Sequence, residues 1–284
     1  MNQSNLKKLQ NLLKEKDIDI FVINRSDEYL NEYISPNAER LNFITNFSGS
    51  AGRAIITPTD AFLYVDGRYT FQANTQINAK EIQAKHLNSF WTDLEKILLE
   101  KELKIALDPT LHSIIEIEKV EKMLENSTSQ LQLIDKNFVD LIWENQPKTQ
   151  YTDIFDHPTS FAGQGRSEKL DILKKFLDQN EINHYFVSGL DNIAWLLNLR
   201  ADDIKYTPLL YSYLLISKNN KHSLYIKESA MPEILKKEIQ TLININNIEN
   251  IESIFNNINS SESIGLDFNS TTYYFLDLLR KQKI

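Results

Sequence analysis

The chain has 284 residues, 42% of them hydrophobic and 10% aromatic, enough to build two packed cores rather than one. A formal net charge of −8 at pH 7 argues against nucleic acid and anionic membrane as partners. There is no cysteine, which excludes a disulfide framework and thiolate chemistry.

Residues 1–19 have an amphipathic helical pattern without an apolar core region, so they do not read as a signal peptide. No run approaches the ~18 apolar residues of a membrane span, and a cytoplasmic protein is expected. Leu6, Leu9, Leu12 and Leu13 share one face of a helix over 4–16. A strand follows over 17–23, then a polar loop. Two short apolar runs, 53–57 and 61–65, flank Pro58-Thr59-Asp60 and read as a hairpin. Asp66 suits a helix N-cap, with a helix over 69–77. Further strands are expected over 81–87, 104–107 and 131–134, and helices over 91–102, 113–124 and 138–143. Strands alternating with helices indicate a layered α/β sheet.

Residues 144–165 lack a period and carry Pro147, Pro158, Gly163 and Gly165, which places a domain boundary near residue 150. The expected domains are therefore 1–150 and 151–284. The second half repeats the first loosely. Glu181-Ile182-Asn183-His184-Tyr185-Phe186-Val187 matches Asp17-Ile18-Asp19-Ile20-Phe21-Val22-Ile23, and Asp191 falls at the offset of Asp27. Trp195-Leu196-Leu197-Asn198 parallels Phe43-Ile44-Thr45-Asn46. Paired strands are expected over 211–216 and 223–227, a strand over 264–267, and helices over 170–177, 233–240, 246–256 and 271–280.

Three pieces stand in order within the first domain: Tyr33-Ile34-Ser35-Pro36, then Arg40-Leu41-Asn42-Phe43-Ile44-Thr45-Asn46-Phe47-Ser48-Gly49-Ser50-Ala51-Gly52, then Asp66-Gly67-Arg68-Tyr69. Together they resemble the amino-terminal domain of the creatinase/prolidase/aminopeptidase P group, with the nearest likeness to the three-domain Xaa-Pro aminopeptidases. The second half carries matching pieces: 191–200, Asp203-Ile204, Thr207-Pro208 and Ser212-Tyr213. Ala201 stands where relatives usually carry Gly, so a left-handed turn is not expected there. The fold implied is two tandem, related creatinase N-terminal-like domains, each a layered α-β-α unit with a mixed sheet.

The resemblance also implies what is absent. The family's chemistry lies in a third, "pita-bread" domain. There, two Asp, one His and two Glu hold two divalent metals, manganese being expected, and the bridging water attacks the peptide bond. The chain stops at Ile284, where the second domain would be finishing, so the catalytic domain is expected to be absent and no catalytic or metal-binding residue is assigned. His86, His112, His157, His184 and His222 fall in no HxxEH-like or HExxH pattern. Asp202-Asp203 has no nearby His and reads as a loop. Residues 47–52 lack the Lys of a phosphate loop and read as a tight turn.

The expected function is thus the non-catalytic amino-terminal portion of a dinuclear-metal Xaa-Pro aminopeptidase, which removes the residue before proline. It would shape access for short Xaa-Pro peptides and contribute to a homodimer. The alternative is a non-catalytic peptide- or protein-binding creatinase-like module. The resemblance makes the Arg of Asp-Gly-Arg-Tyr a substrate contact, which maps onto Arg68; a guanidinium can bind a carboxylate through two parallel hydrogen bonds. The other reading of Arg68 is that it merely pairs with Asp66 or caps a helix.

Overall fold

The computed structural model describes residues 3–284, and its packing divides the chain into two units, one running through Lys148 and the other spanning Thr149–Ile284.

In the first unit, helix α1 (Asn5–Glu15) starts at Ser4, whose hydroxyl accepts from the Lys7 amide at 3.3 Å. It buries Leu6, Leu9 and Leu13, each burial contributing about 1.5–3 kcal/mol. Asp17, in left-handed backbone (φ 54°), turns the chain into strand β1 (Ile20–Asn24). Helix α2 (Arg40–Thr45) precedes the hairpin β2 (Gly52–Ile56) and β3 (Ala61–Val65). Then come α3 (Thr70–Gln76), β4 (Gln83–His86), α4 (Phe90–Glu100), β5 (Lys104–Leu107), α5 (Ile114–Leu124), β6 (Gln130–Leu133) and α6 (Phe138–Ile142).

The six strands lie in the order β4-β3-β2-β1-β5-β6. The β1–β2 and β2–β3 pairs are antiparallel and the others parallel, so the sheet is mixed. Alternation splits the strand residues between two covered faces. Phe21, Ile23, Ala54, Ile56, Leu63 and Val65 join the core formed with α1, α2, α3 and α6. On the other face, Tyr64 meets Phe90 of α4 edge-on, with ring centroids 5.3 Å apart.

The second unit begins with the short strand β7 (Phe155–Asp156) and helices α7 (Thr159–Ala162) and α8 (Arg166–Gln179). Strand β8 (His184–Val187), helix α9 (Leu190–Leu197), strand β9 (Leu199–Arg200) and the hairpin β10 (Tyr213–Ser217) and β11 (His222–Ile226) follow. Helix α10 (Glu233–Ile239), strands β12 (Ile243–Asn247) and β13 (Ile264–Gly265), and helix α11 (Tyr273–Gln282) complete it. The main sheet runs β12-β11-β10-β8-β13. Its antiparallel centre and parallel flanks repeat the first sheet strand for strand, without a counterpart of β6. One face packs on α8, α9 and α10. The other is aromatic, with Phe186 4.5 Å from Phe275 of α11 and 5.4 Å from Phe255 between ring centroids.

Two sequence expectations change. The helix expected over 246–256 is instead the end of β12, parallel to β11, followed by a 3-10 turn, Ile248–Ser253. Ile243 is fully buried and Ile245 packs on the core, so the two-residue alternation of Ile and Asn governs here. Asp27 and Asp191 are not structural equivalents: Asp27 lies in a loop, whereas Asp191 is in the first turn of α9. The helices that correspond are α2 and α9, each ending on a left-handed Asn, Asn46 (φ 62°) and Asn198 (φ 51°). Ala201 is buried and is not in left-handed backbone.

Candidate functional site

Arg68 stands where β3 gives way to a 3-10 turn, Gly67–Tyr69, and then to α3. The Asp66 carboxylate caps this turn. One of its oxygens accepts from the Arg68 amide at 3.0 Å and from Arg68 Nε at 2.8 Å. These bonds hold the Asp66 carboxyl below its ordinary pKa and raise that of Arg68. The Arg68 side chain remains 70% exposed. Because Asp66 takes only Nε, neither terminal amino group of Arg68 makes a hydrogen bond among the described residues. The fork end therefore presents donors suited to a carboxylate or a carbonyl.

Tyr69 backs this arginine, with the guanidinium carbon 5.6 Å from the ring centroid. The Tyr69 hydroxyl lies 2.8 Å from Ser50 Oγ, and Ser50 donates to Glu32 Oε1 at 3.1 Å. The Phe47 ring meets Tyr69 edge-on at 5.8 Å. Gly49 makes that contact possible: a Cβ there would lie 2.2 Å from the Phe47 ring and 2.9 Å from that of Tyr69. The bend is tied to α3, because the Ser48 amide donates to Gln76 Oε1 at 3.0 Å and the Ser48 hydroxyl accepts from Gln76 Nε2 at 2.8 Å. Residues 47–52 thus form a packed support. Ser50 was legible only as part of the 47–52 turn, and Glu32 carried no sequence signal, since it lies in a polar stretch outside any periodic segment.

The other singled-out residues are dispersed. His112 is enclosed, with Nδ1 2.9 Å from the Asp108 carbonyl oxygen, and burial pushes its pKa down. His222 Nδ1 accepts the Ser217 amide at 3.1 Å. His184 Nδ1 lies 3.0 Å from Ser217 Oγ. His86 Nδ1 accepts the Asn88 amide at 3.2 Å, and His157 lies beside Phe161. Asp203 anchors the backbone: it accepts from the Thr152 amide at 2.7 Å and the Tyr211 amide at 2.9 Å. Burial raises its pKa. Among the described residues, no three His, Asp or Glu side chains gather as a metal site.

The second unit supplies an internal control. Its 3-10 turn, Glu228–Ala230, follows β11 as Gly67–Tyr69 follows β3. There Lys227-Glu228-Ser229 replaces Asp66-Gly67-Arg68, and the Lys227 ammonium turns away to Glu249. The same turn forms without an acid–arginine clamp.

Comparisons with known proteins agree across both units. Two family models, each described as a creatinase/prolidase N-terminal domain, match residues 5–136 and 145–284. A probable Xaa-Pro aminopeptidase P from Paracoccidioides brasiliensis (strain Pb03) is 34% identical over 238 residues, covering 82% of this chain and 38% of the relative. One from Sordaria macrospora is 35% identical over 240 residues, covering 81% and 38%. The crystal structure of an X-prolyl aminopeptidase from Caenorhabditis elegans, described as a cytosolic enzyme with a di-nuclear active site, superposes with a TM-score of 0.90 at 25% identity. That match covers 98% of this chain and 48% of the nematode enzyme. The chain therefore spans less than half the length of these relatives.

Proposed function

Because both halves of this chain belong to the creatinase/prolidase N-terminal domain family, we propose that it acts as the non-catalytic part of an Xaa-Pro aminopeptidase, with Arg68 contacting the bound peptide. The observation that carries this is the side-on grip of Asp66 on Arg68, which leaves the guanidinium fork open. A merely structural clamp is disfavoured by the second unit, whose equivalent turn has Ser229 in place of the arginine.

The described residues offer no ligand set that fits a dinuclear metal centre. The chain's histidines and acids are dispersed, and among the described residues no cluster could hold a metal ion. We therefore assign peptide-bond hydrolysis, and two divalent ions expected to be manganese, to residues outside these two domains. This chain's own part is to orient: Arg68 binds a peptide carboxylate or carbonyl, Asp66 fixes the guanidinium plane, and Tyr69 supports it from behind.

The test is kinetic. In an Xaa-Pro aminopeptidase carrying this chain, Arg68→Ala should lower kcat/KM by about 1.5–3 kcal/mol, roughly ten- to hundred-fold, the worth of a charge-assisted hydrogen bond. The melting temperature should not change, because the side chain is mostly exposed. Arg68→Lys should recover little, since an ammonium cannot form the planar fork. Unchanged kinetics across several peptide lengths would contradict the assignment.

A further inference from the structure

The sheet repeat exposes a difference on the face opposite α8 and α9. In the first unit, Tyr64 on β3 and Lys85 on β4 are register partners. Both donate to one carboxylate, Asp93 of α4, at 3.0 Å and 2.8 Å. In the second unit, the corresponding register partners are Tyr225 on β11 and Asn246 on β12. The segment after β12 makes only the short turn Ile248–Ser253 where the first unit builds α4. No acid from that segment reaches the pair.

What lies there is a hollow of about 460 Å³, within the roughly 300–1,000 Å³ range of small-molecule sites. Two register rows floor it, Tyr225 with Asn246 and Ser223 with Asn244, and Asn257 closes one side. The hydroxyls and amides of these five side chains make no hydrogen bond to any described residue. Tyr225 is only 6% exposed as a residue, and it lines the hollow. The lining contains no carboxylate, and its one ammonium is Lys221.

We propose that this hollow binds a small molecule carrying a carboxylate flanked by amide or hydroxyl groups. Its carboxylate accepts from Tyr225 and Asn246 as Asp93 accepts from Tyr64 and Lys85. The neighbouring amides of Asn244 and Asn257 pair with the ligand's polar groups, each offering both a donor and an acceptor. This site lies wholly in the second unit and does not depend on the Arg68 reading.

The test is a titration of the ¹⁵N-labelled chain, followed by amide NMR, with acetyl-glycyl-glycine and separately with its carboxamide. The expected result is shifts concentrated in β10, β11 and β12, with the acid binding about tenfold more tightly than the amide. Tyr225→Phe should weaken the acid by a similar factor while keeping a dispersed spectrum, and Asn246→Ala should do the same from the neighbouring strand. Arg68→Ala should leave these shifts in place, which separates this site from the one proposed above. No shifts in β10–β12, equal binding of acid and amide, or shifts that vanish with Arg68→Ala would each overturn the proposal.

Discussion

Arg40 is a cation with a structural task, in contrast to Arg68. Its side chain is only 7% exposed and pairs with Asp140 through Nε at 2.8 Å and with Glu28 through Nη2 at 3.0 Å. It thereby joins α2 to α6. Arg40→Met should destabilise the chain by about 2–3 kcal/mol in urea unfolding, below the usual cost of breaking a buried pair because both acids keep water contact. An unchanged midpoint would assign the α2–α6 contact to packing alone. His222 makes a pH-dependent contribution. Burial and then Lys174 push its pKa down to about 4 from 6.5. The unfolded chain takes up this proton near 6.5 and the folded chain only near 4. The group's stabilisation is therefore complete above about 6.5 and falls by about 2–3 kcal/mol as pH drops toward 4. His222→Asn retains an acceptor for the Ser217 amide and should flatten the stability profile over that window. Matching profiles for the two proteins would exclude His222 as the source. Arg68 was legible because its tetrapeptide stands in order with two other motifs. Tyr225 and Asn246 were not, because their meaning depends on a cross-strand register.

Helix ends and turns show which local rules carried the fold. The hairpin followed from two apolar runs around Pro58-Thr59-Asp60, and the structure starts α5 with a reciprocal capping box between Ser113 and Glu116. The strand β12 was not legible as a strand, because Ile and Asn alternate through a stretch whose Ile spacing also suits a helix. Only the partner β11 decides between them. Three cations meet the C-terminal turn of α9: Arg166, which is also paired with Asp156 and Glu238, donates to the Leu197 carbonyl at 2.9 Å, Lys169 to that of Trp195 at 2.7 Å, and Arg200 to that of Ala194 at 2.5 Å. Positive charge at this helix end is favourable, and Arg166 and Lys169 supply donors to carbonyls of the last turn, while that of Ala194 also accepts the Asn198 amide. The repeated left-handed caps give an element-scale prediction. Asn46 is exposed, so Asn46→Gly should be nearly neutral, whereas Asn46→Ala should cost about 1 kcal/mol for a side chain in left-handed backbone. Equal stabilities for the two variants would rule out the cap as the cause.

Across the whole molecule, each unit has its own hydrophobic core, and the chain between α6 and β7 has no regular structure. Residues 147–151 are exposed there. Trypsin should therefore cut first after Lys148 and leave two fragments, each unfolding cooperatively; collapse of either would mean that its fold depends on the other. The division into two related sheets was legible from order and spacing, whereas the loss of an α4 equivalent in the second unit was not, because nearly the same length of chain fills both places. On the proposed function, binding and orientation reside in these residues and hydrolysis in residues outside them. The most direct test is a peptidase assay on the purified 284-residue chain with an Xaa-Pro peptide, first with added manganese and then with chelator. No turnover in either condition is the expected result. Chelator-sensitive turnover would mean that a catalytic metal site is formed by these residues, and the assignment of a non-catalytic role would be wrong.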